Sequence, residues 1–251
     1  MSRRTPVVQA PSFGTAARLA LEALADPEVK AGAERYFRGA VPFHGVKAPR
    51  VREVFRTVFR DIDDQPVETM VEAAFSLLQR PYQEEKQLAV HLLERLRRRW
   101  PPDLRARLEP VFDAGVHDWA TCDGVSGRVL KVLLERDPGA AAQIARWSRS
   151  ANPWRQRASA VAFVKLARHG AHTRVILDLC DQLATSPDRF VQLGMGWVLR
   201  ELSLADRDAV LAFLRRHHRT LRREAVCYAI EKLPAPLRQS VLREHAKTPR
   251  G

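Results

Sequence analysis

Small or medium-sized residues recur at nearly constant spacing through most of this chain, and this recurrence constrains the fold more than any other feature. The recurring positions are Ala89, Val125, Ser159, Gly194 and Val226, at steps of 36, 34, 35 and 32 residues. Between them the apolar residues have helical spacing, and the alternation typical of β-strands is nearly absent. Two-helix repeats of this length without a fixed signature are typical of an α-solenoid with HEAT-like repeats.

Prolines and glycines interrupt the helical pattern at short intervals, which predicts roughly a dozen helices joined by short loops. The stretches 1–13 and 247–251 show no periodicity, and we interpret both as disordered tails. The sequence therefore predicts one all-α domain over residues 14–246. We expect it to curve into a C shape whose concave face is lined by positions one or two residues before the recurring ones.

The charge of the chain favours a polyanionic partner. Its 42 Lys and Arg residues against 29 Asp and Glu residues leave a net charge of +13, which favours the binding of nucleic acid phosphates. The 3 cysteines lie far apart and form no C-x-x-C motif, which argues against a disulfide framework and for a reducing compartment. No apolar run approaches the roughly 18 residues of a membrane span. We expect a soluble cytoplasmic protein that binds no metal.

Three short segments place tryptophan near a charged or amide residue at matching offsets. They are Trp119-Ala-Thr-Cys-Asp123, Trp154-Arg-Gln-Arg157 and Phe190-Val-Gln-Leu-Gly-Met-Gly-Trp197. From Asp123 to Arg157 is 34 residues, and from Arg157 to Gln192 is 35 residues, so we expect all three segments on one face of successive repeats. A basic face that carries indoles and one acid is typical of a protein that binds nucleic acid and performs chemistry on it.

Each of these residues also has a structural interpretation. Trp119 and Asp123 are four residues apart on one helix face, where the indole can pack in the core and the acid can favour the helix start. The functional interpretation is a carboxylate beside an indole, facing a cationic substrate. Gly194 and Gly196 each cost a helix about 1 kcal/mol, which close helix packing or a closely approaching ligand can offset. Arg157 is a phosphate anchor, a partner in a salt bridge or a solvated surface charge.

Taken together, the segments resemble the DNA alkylation repair glycosylases of the AlkD type, which are HEAT-like repeat proteins. The resemblance covers nearly the whole chain, and its four motifs follow one another in order. They are Arg35-Tyr36-Phe37-Arg38 with Phe43-His44-Gly45-Val46-Lys47-Ala48-Pro49, then Trp119-x-x-x-Asp123, then Trp154-x-Gln156-Arg157-Ala158, and finally Gly196-Trp197-Val198-Leu199-Arg200-Glu201.

The resemblance implies a DNA glycosylase of base excision repair that needs no cofactor. Such an enzyme hydrolyses the N-glycosidic bond of cationic N3- and N7-alkylated purines in duplex DNA without base flipping. It implies catalytic or substrate-contacting roles for Asp123, Trp119 and Trp197, and a DNA-backbone role for Arg157. We add further DNA-binding candidates from the motifs and from the basic stretch near residue 220: Trp154, Gln192, Tyr36, Lys47, Arg222 and Arg223. We expect a monomer.

Two other functions are compatible with a helical-repeat fold. A catalytically silent protein that binds branched or damaged DNA would share the basic groove and would not need Asp123. A protein-binding scaffold would have a neutral or acidic concave face with exposed apolar patches, which the net charge of +13 disfavours.

Overall fold

The computed structural model describes residues 10–246, and every regular element in that range is a helix. The all-α prediction is therefore confirmed. The α-helices are α1 (Ala10–Glu22), α2 (Pro27–Tyr36), α3 (Ala48–Val58), α4 (Val67–Leu78), α5 (Gln83–Arg95), α6 (Leu104–Gly115), α7 (Trp119–Val125), α8 (Lys131–Arg136), α9 (Ala140–Ala145), α10 (Pro153–Val161), α11 (Val164–Ala167), α12 (Thr173–Leu183), α13 (Arg189–Leu202), α14 (Arg207–Arg216), α15 (Arg223–Ala229) and α16 (Ala235–Ala246). Short 3-10 segments lie at Ile62–Asp64 and Arg146–Arg149, and a π-helical segment at Ser126–Leu130.

The described residues form two compact units. The N-terminal unit ends at Gly124, and the C-terminal unit begins at Val125. In the N-terminal unit α4 packs along α5, while α1 and α3 pack against this pair. The predicted single domain over 14–246 stays a prediction, as do its C shape and its concave face.

The core of the N-terminal unit follows from the helical spacing of large apolar residues. Met70, Leu77 and Leu78 of α4 are completely buried, as are Leu88 and Leu92 of α5. The spacings of seven and eight residues in α4 and of four residues in α5 place these side chains on one stripe of each helix. Helices α4 and α5 pack against each other, and both stripes are buried.

The C-terminal unit contains a row of packed helices. Helix α13 packs against α10 on one side and α15 on the other, while α9 and the segment Arg146–Arg149 pack with α12. The recurring positions Ser159, Gly194 and Val226 are all buried. Small residues there let neighbouring helices approach closely.

The boundary predicted for the N-terminal tail is wrong at its inner end. Helix α1 begins at Ala10, so residues 10–13 are helical. Proline is compatible with a first helical turn because its missing N–H has no intrahelical acceptor there, and Pro11 was therefore a misleading coil signal. The ring of Phe13 stacks on Phe59 at 5.5 Å between centroids, which holds the start of α1 on the unit. Residues 1–9 and 247–251, the rest of the two predicted tails, lie outside the described residues.

Candidate functional site

An aromatic cluster surrounds Trp119, the first residue of α7. Its indole stacks on Phe37, with 4.9 Å between ring centroids and 3° between planes. Tyr36 meets it edge-on at 6.0 Å, and Phe43 supports Phe37 from 5.0 Å. Trp119 is half-buried, whereas Tyr36 is 72% exposed. The cluster therefore forms an aromatic platform at the surface of the N-terminal unit, and Trp119 is not a core residue.

The start of α7 is fixed by Asp118. Its carboxylate accepts hydrogen bonds from the backbone N–H of Thr121 at 2.8 Å and from the hydroxyl of Thr121 at 2.7 Å, the usual way in which an acid caps a helix. Asp118, Thr121 and Cys122 are buried, while Trp119 and Asp123 are half-buried. The inner side of α7 is thus anchored, and its outer side presents the predicted indole and carboxylate one turn apart.

The loop before α3 is held by a buried carboxylate that the sequence analysis did not identify. Glu84, 1% exposed, accepts hydrogen bonds from the backbone N–H groups of residues 44–46 at 3.0, 2.9 and 3.0 Å. Gly45 has a φ of +96°, and a Cβ there would lie 2.4 Å from the carbonyl oxygen of Asp26. The loop therefore requires glycine, and it leads directly to the exposed Lys47.

The first turn of α5 brings further charged groups into the N-terminal unit. Nε2 of His44 lies 3.7 Å from Oε1 of Glu85, and both side chains are buried. Burial raises the pKa of Glu85, and the charges of His44 and Arg80 oppose that effect. Lys86 donates to the carbonyl oxygen of Gly115, and burial lowers the pKa of its ammonium group. This polar centre lies directly beneath the loop that carries the platform residue Phe43.

In the C-terminal unit, Arg157 is not a solvated surface residue. Its side chain lies in the contact between α10 and α13, only 6% of the residue is exposed, and its guanidinium donates to the carbonyl oxygen of Phe190 at 2.6 Å. A Cβ on Gly194 would lie 3.0 Å from Cγ of Arg157. The glycine therefore provides the space that the arginine fills. A phosphate contact by Arg157 stays a prediction that depends on the small exposed part of its side chain.

Gly196 makes room for a neighbouring helix. A Cβ there would lie 2.7 Å from the carbonyl oxygen of Ala225 in α15 and 3.2 Å from its Cα. Of the two explanations offered by the sequence, close packing accounts for both glycines of α13.

The two tryptophans of the C-terminal unit are both half-buried. Trp154 follows the N-cap Asn152 and lies 5.5 Å from the ring of Phe190, tilted by 36°. Trp197 follows Gly196 on α13. In the part of the chain that the structure describes, no side chain stacks on the Trp197 indole and no group hydrogen-bonds to it.

Gln192 has an internal role in the structure, and its predicted contact with DNA stays a prediction. This residue is 2% exposed, and its amide is fully engaged by the protein. Its Nε2 donates to the carbonyl oxygens of Ser186 and Thr220 at 2.9 and 3.2 Å, and its Oε1 accepts from the backbone N–H of Arg222 at 2.6 Å. Gln192 instead joins the loop before α13 to the segment before α15. Asp123 and Gln192 occupy the same position in their repeats, yet only Asp123 is partly exposed.

The remaining DNA-binding candidates are exposed. Arg222 and Arg223 lie at the start of α15, and Arg222 donates to the carbonyl oxygen of Pro187 at 2.6 Å. Among residues 10–246, no group of three or more histidine, cysteine or acidic side chains could hold a metal ion. No helix within the same range is both long and apolar enough to cross a membrane.

Comparisons with known proteins identify the class to which this chain belongs. The model of the DNA alkylation repair enzyme family matches residues 17–233, so the chain belongs to that family. Among solved structures, it is similar to a predicted DNA alkylation repair enzyme from Enterococcus faecalis, with a TM-score of 0.75 and 16% sequence identity over 84% of this chain and 97% of that chain. At this identity the likeness shows the fold alone. No curated protein matches the chain significantly.

Proposed function

We propose that the protein is a monofunctional DNA N-glycosylase that releases N3- and N7-alkylated purines from duplex DNA without flipping the base. Family membership supports a role in alkylation repair in general. The observation that carries the specific reaction is the outer side of α7, where the half-buried Asp123 carboxylate lies one turn from the half-buried Trp119 indole. Both groups sit at the surface of the unit, which suits contact with the sugar of a stacked nucleotide.

The chemistry of the lesion favours a carboxylate as the catalytic group. Alkylation at N7 makes the purine cationic and thus a good leaving group. As the bond between C1′ and N9 breaks, its electron pair passes to the purine and positive charge develops on the deoxyribose. Asp123 would stabilise this oxocarbenium-like sugar. It would also orient a water molecule, which gives its hydroxyl to C1′ and its proton to the carboxylate.

The aromatic platform would complement this carboxylate. The electron-rich face of an indole attracts a cation within about 6 Å of its centroid. Phe37 stacks on one face of Trp119, which fixes the ring plane, and the exposed part of the indole would meet the substrate. Trp197, whose indole has no stacking partner among the described residues, is the second indole that we propose to contact the substrate.

Exposed cations would supply most of the affinity for DNA. Lys47, Arg222 and Arg223 are exposed, and the chain carries a net charge of +13. Each neutralised phosphate contributes about −0.9 to the slope of log affinity against log salt. Binding to duplex DNA should therefore weaken steeply as salt rises.

The test is release of N7-methylguanine from duplex DNA under single-turnover conditions, followed as free base and as abasic sites. We expect Asp123→Asn to slow release strongly, because the amide keeps the shape of the carboxylate and removes its charge. A hundredfold loss corresponds to about 2.7 kcal/mol. Asp178→Asn, which removes the same charge from an exposed position on α12, is the matched control and should leave release unchanged.

The second candidate is a non-catalytic protein that binds damaged DNA. The exposed Arg222 and Arg223 would serve either function. If the parent protein binds duplex DNA but releases no base above background, this candidate is correct. If the parent releases base and Asp123→Asn releases it equally fast, the assignment of Asp123 is wrong.

A further inference from the structure

A groove in the C-terminal unit carries three arginines, and its properties differ from those of the aromatic platform. It lies between the loop that precedes α13 and the segment that precedes α15, and its volume is about 530 Å³. Ser186 and Pro187 form one wall, and Gln192 lies at its base. The opposite wall carries Arg219, Arg222 and Arg223, and we call this site the arginine groove.

The positive charge of the arginine groove is not neutralised by its own acid. Glu224, the one carboxylate that lines it, is bound by Arg189 at 2.7 Å. Arg219 and Arg223 are exposed and, within the described part of the chain, neither has an ion pair or hydrogen bond from its guanidinium. Arg222 uses one nitrogen to bind the carbonyl oxygen of Pro187 on the other wall. Two guanidinium groups are therefore entirely available, and the third is held in place.

The spacing of the two walls is fixed by Gln192. Its buried amide donates to the backbone of Ser186 on one wall and of Thr220 on the other, and it accepts from the backbone N–H of Arg222. Gln192 thus links the two walls, as the bond from Arg222 to Pro187 also does. Such preorganisation lowers the cost of binding because little has to be ordered when the ligand enters.

We propose that the arginine groove binds one backbone phosphate of duplex DNA, with Arg219 and Arg223 as contacting residues and Gln192 as a positioning residue. The inference rests on the proposed function only in that the protein acts on DNA. Guanidinium groups bind phosphate oxygens in a fork geometry that suits this anion. The volume falls within the range of about 300–1,000 Å³ of sites for small molecules, so a phosphate can enter together with its flanking sugars.

The experiment measures binding to an undamaged duplex by fluorescence anisotropy across a series of chloride concentrations. We expect Arg219→Gln and Arg223→Gln each to weaken binding by about tenfold at low salt and, together, to reduce the salt slope by about 0.9, the contribution of one phosphate. Arg174→Gln is the matched control, because Arg174 lies in the same unit and its side chain is 93% exposed. It removes the same charge and should leave the slope unchanged. A slope that is the same in the double variant and the parent would overturn the proposal.

A second arm separates backbone phosphate from free phosphate. Inorganic phosphate should displace the duplex no better than chloride at equal ionic strength. Displacement that exceeds the chloride effect in the parent and disappears in the double variant would assign the arginine groove to free phosphate and overturn the proposal. Thermal unfolding of each variant shows that it is folded.

The outcome is independent of the proposed chemistry. A reduced slope in a protein that releases no base would support the arginine groove and refute the glycosylase. Base release together with an unchanged slope would refute the arginine groove alone.

Discussion

Replacing Gly196 with alanine should destabilise the protein, although alanine is the better helix former. The new Cβ would lie 2.7 Å from the carbonyl oxygen of Ala225, closer than real Cβ atoms come. The obstacle is backbone, so α13 and α15 have to separate. Overpacking of this kind lowers the free energy of unfolding by about 1–3 kcal/mol, whereas replacement of a helical glycine by alanine raises it by about 1 kcal/mol. Because a backbone atom cannot rotate away, the upper end of the cost applies, and we expect a net loss of about 2 kcal/mol.

Thermal unfolding followed by far-UV circular dichroism measures this loss. For a chain of this size, about 2 kcal/mol corresponds to a decrease in Tm of about 4–8 °C. Gly32 on α2 is the matched control, because a Cβ there would meet nothing within 4 Å. Gly32→Ala should raise the stability by up to about 1 kcal/mol. If Gly196→Ala is as stable as the parent while Gly32→Ala behaves as expected, close packing is the wrong explanation, and approach of a ligand would take its place.

Four further variants test the platform and the buried carboxylates. Trp119→Phe should retain more base release under single-turnover conditions than Trp119→Ala, because only the phenyl ring can keep the stacked platform. Glu84→Gln should cost at least about 1.5 kcal/mol of unfolding free energy in denaturant titrations, because hydrogen bonds to a charged acceptor are the stronger kind and an amide nitrogen would face the loop N–H groups. Burial acts to raise the pKa of Glu201, but hydrogen bonds from Lys232 and Arg200 outweigh it and hold the pKa below its usual value. The contribution of Glu201 to the free energy of unfolding is therefore complete above its pKa in the unfolded chain, about 4.3, and is lost as the pH falls through its pKa in the folded protein. Glu201→Gln should therefore reduce the dependence of the free energy of unfolding on pH in the acid range.

The helical content and the register of the repeats could be predicted from the sequence because both depend on local pattern. Apolar side chains at spacings of three and four residues define a helix wherever they face a neighbouring helix. The recurring positions 159, 194 and 226 are buried, as close stacking of the helices requires, and at position 194 the missing Cβ leaves room for Arg157. The start of α1 was predicted wrongly because proline favours both loops and first helical turns, and sequence alone does not separate these cases.

The residues that hold the sites in place could not be predicted, because their partners are distant in the chain. Glu84 binds N–H groups that lie 38–40 residues earlier. Gln192 binds groups 28 and 30 residues later as well as groups nearby. Charged and amide side chains usually face solvent, so a polar residue next to an apolar stripe predicts a surface position. Only the three-dimensional structure shows that these two side chains satisfy backbone groups from several segments at once.

The buried positions of Arg157 and Gln192 change which residues are expected to touch DNA. Both occupy the same repeat offset as Asp123, yet they are 6% and 2% exposed, while Asp123 is half-buried. At this offset a side chain can insert between its own helix and the corresponding helix of the next repeat. Arg157 does so between α10 and α13, where Gly194 leaves room for it. Some exposed cations lie in the segments just before a helix, as Lys47 does at α3. Positions at this offset thus include the proposed reacting group, Asp123, and two side chains that join neighbouring segments, while the exposed cations before helices would hold the phosphates. Substitutions at the two classes of position should therefore have different effects. Substitution of the exposed cations before helices should change the dependence of DNA affinity on salt, whereas substitution of Asp123, Arg157 or Gln192 should change base release or stability.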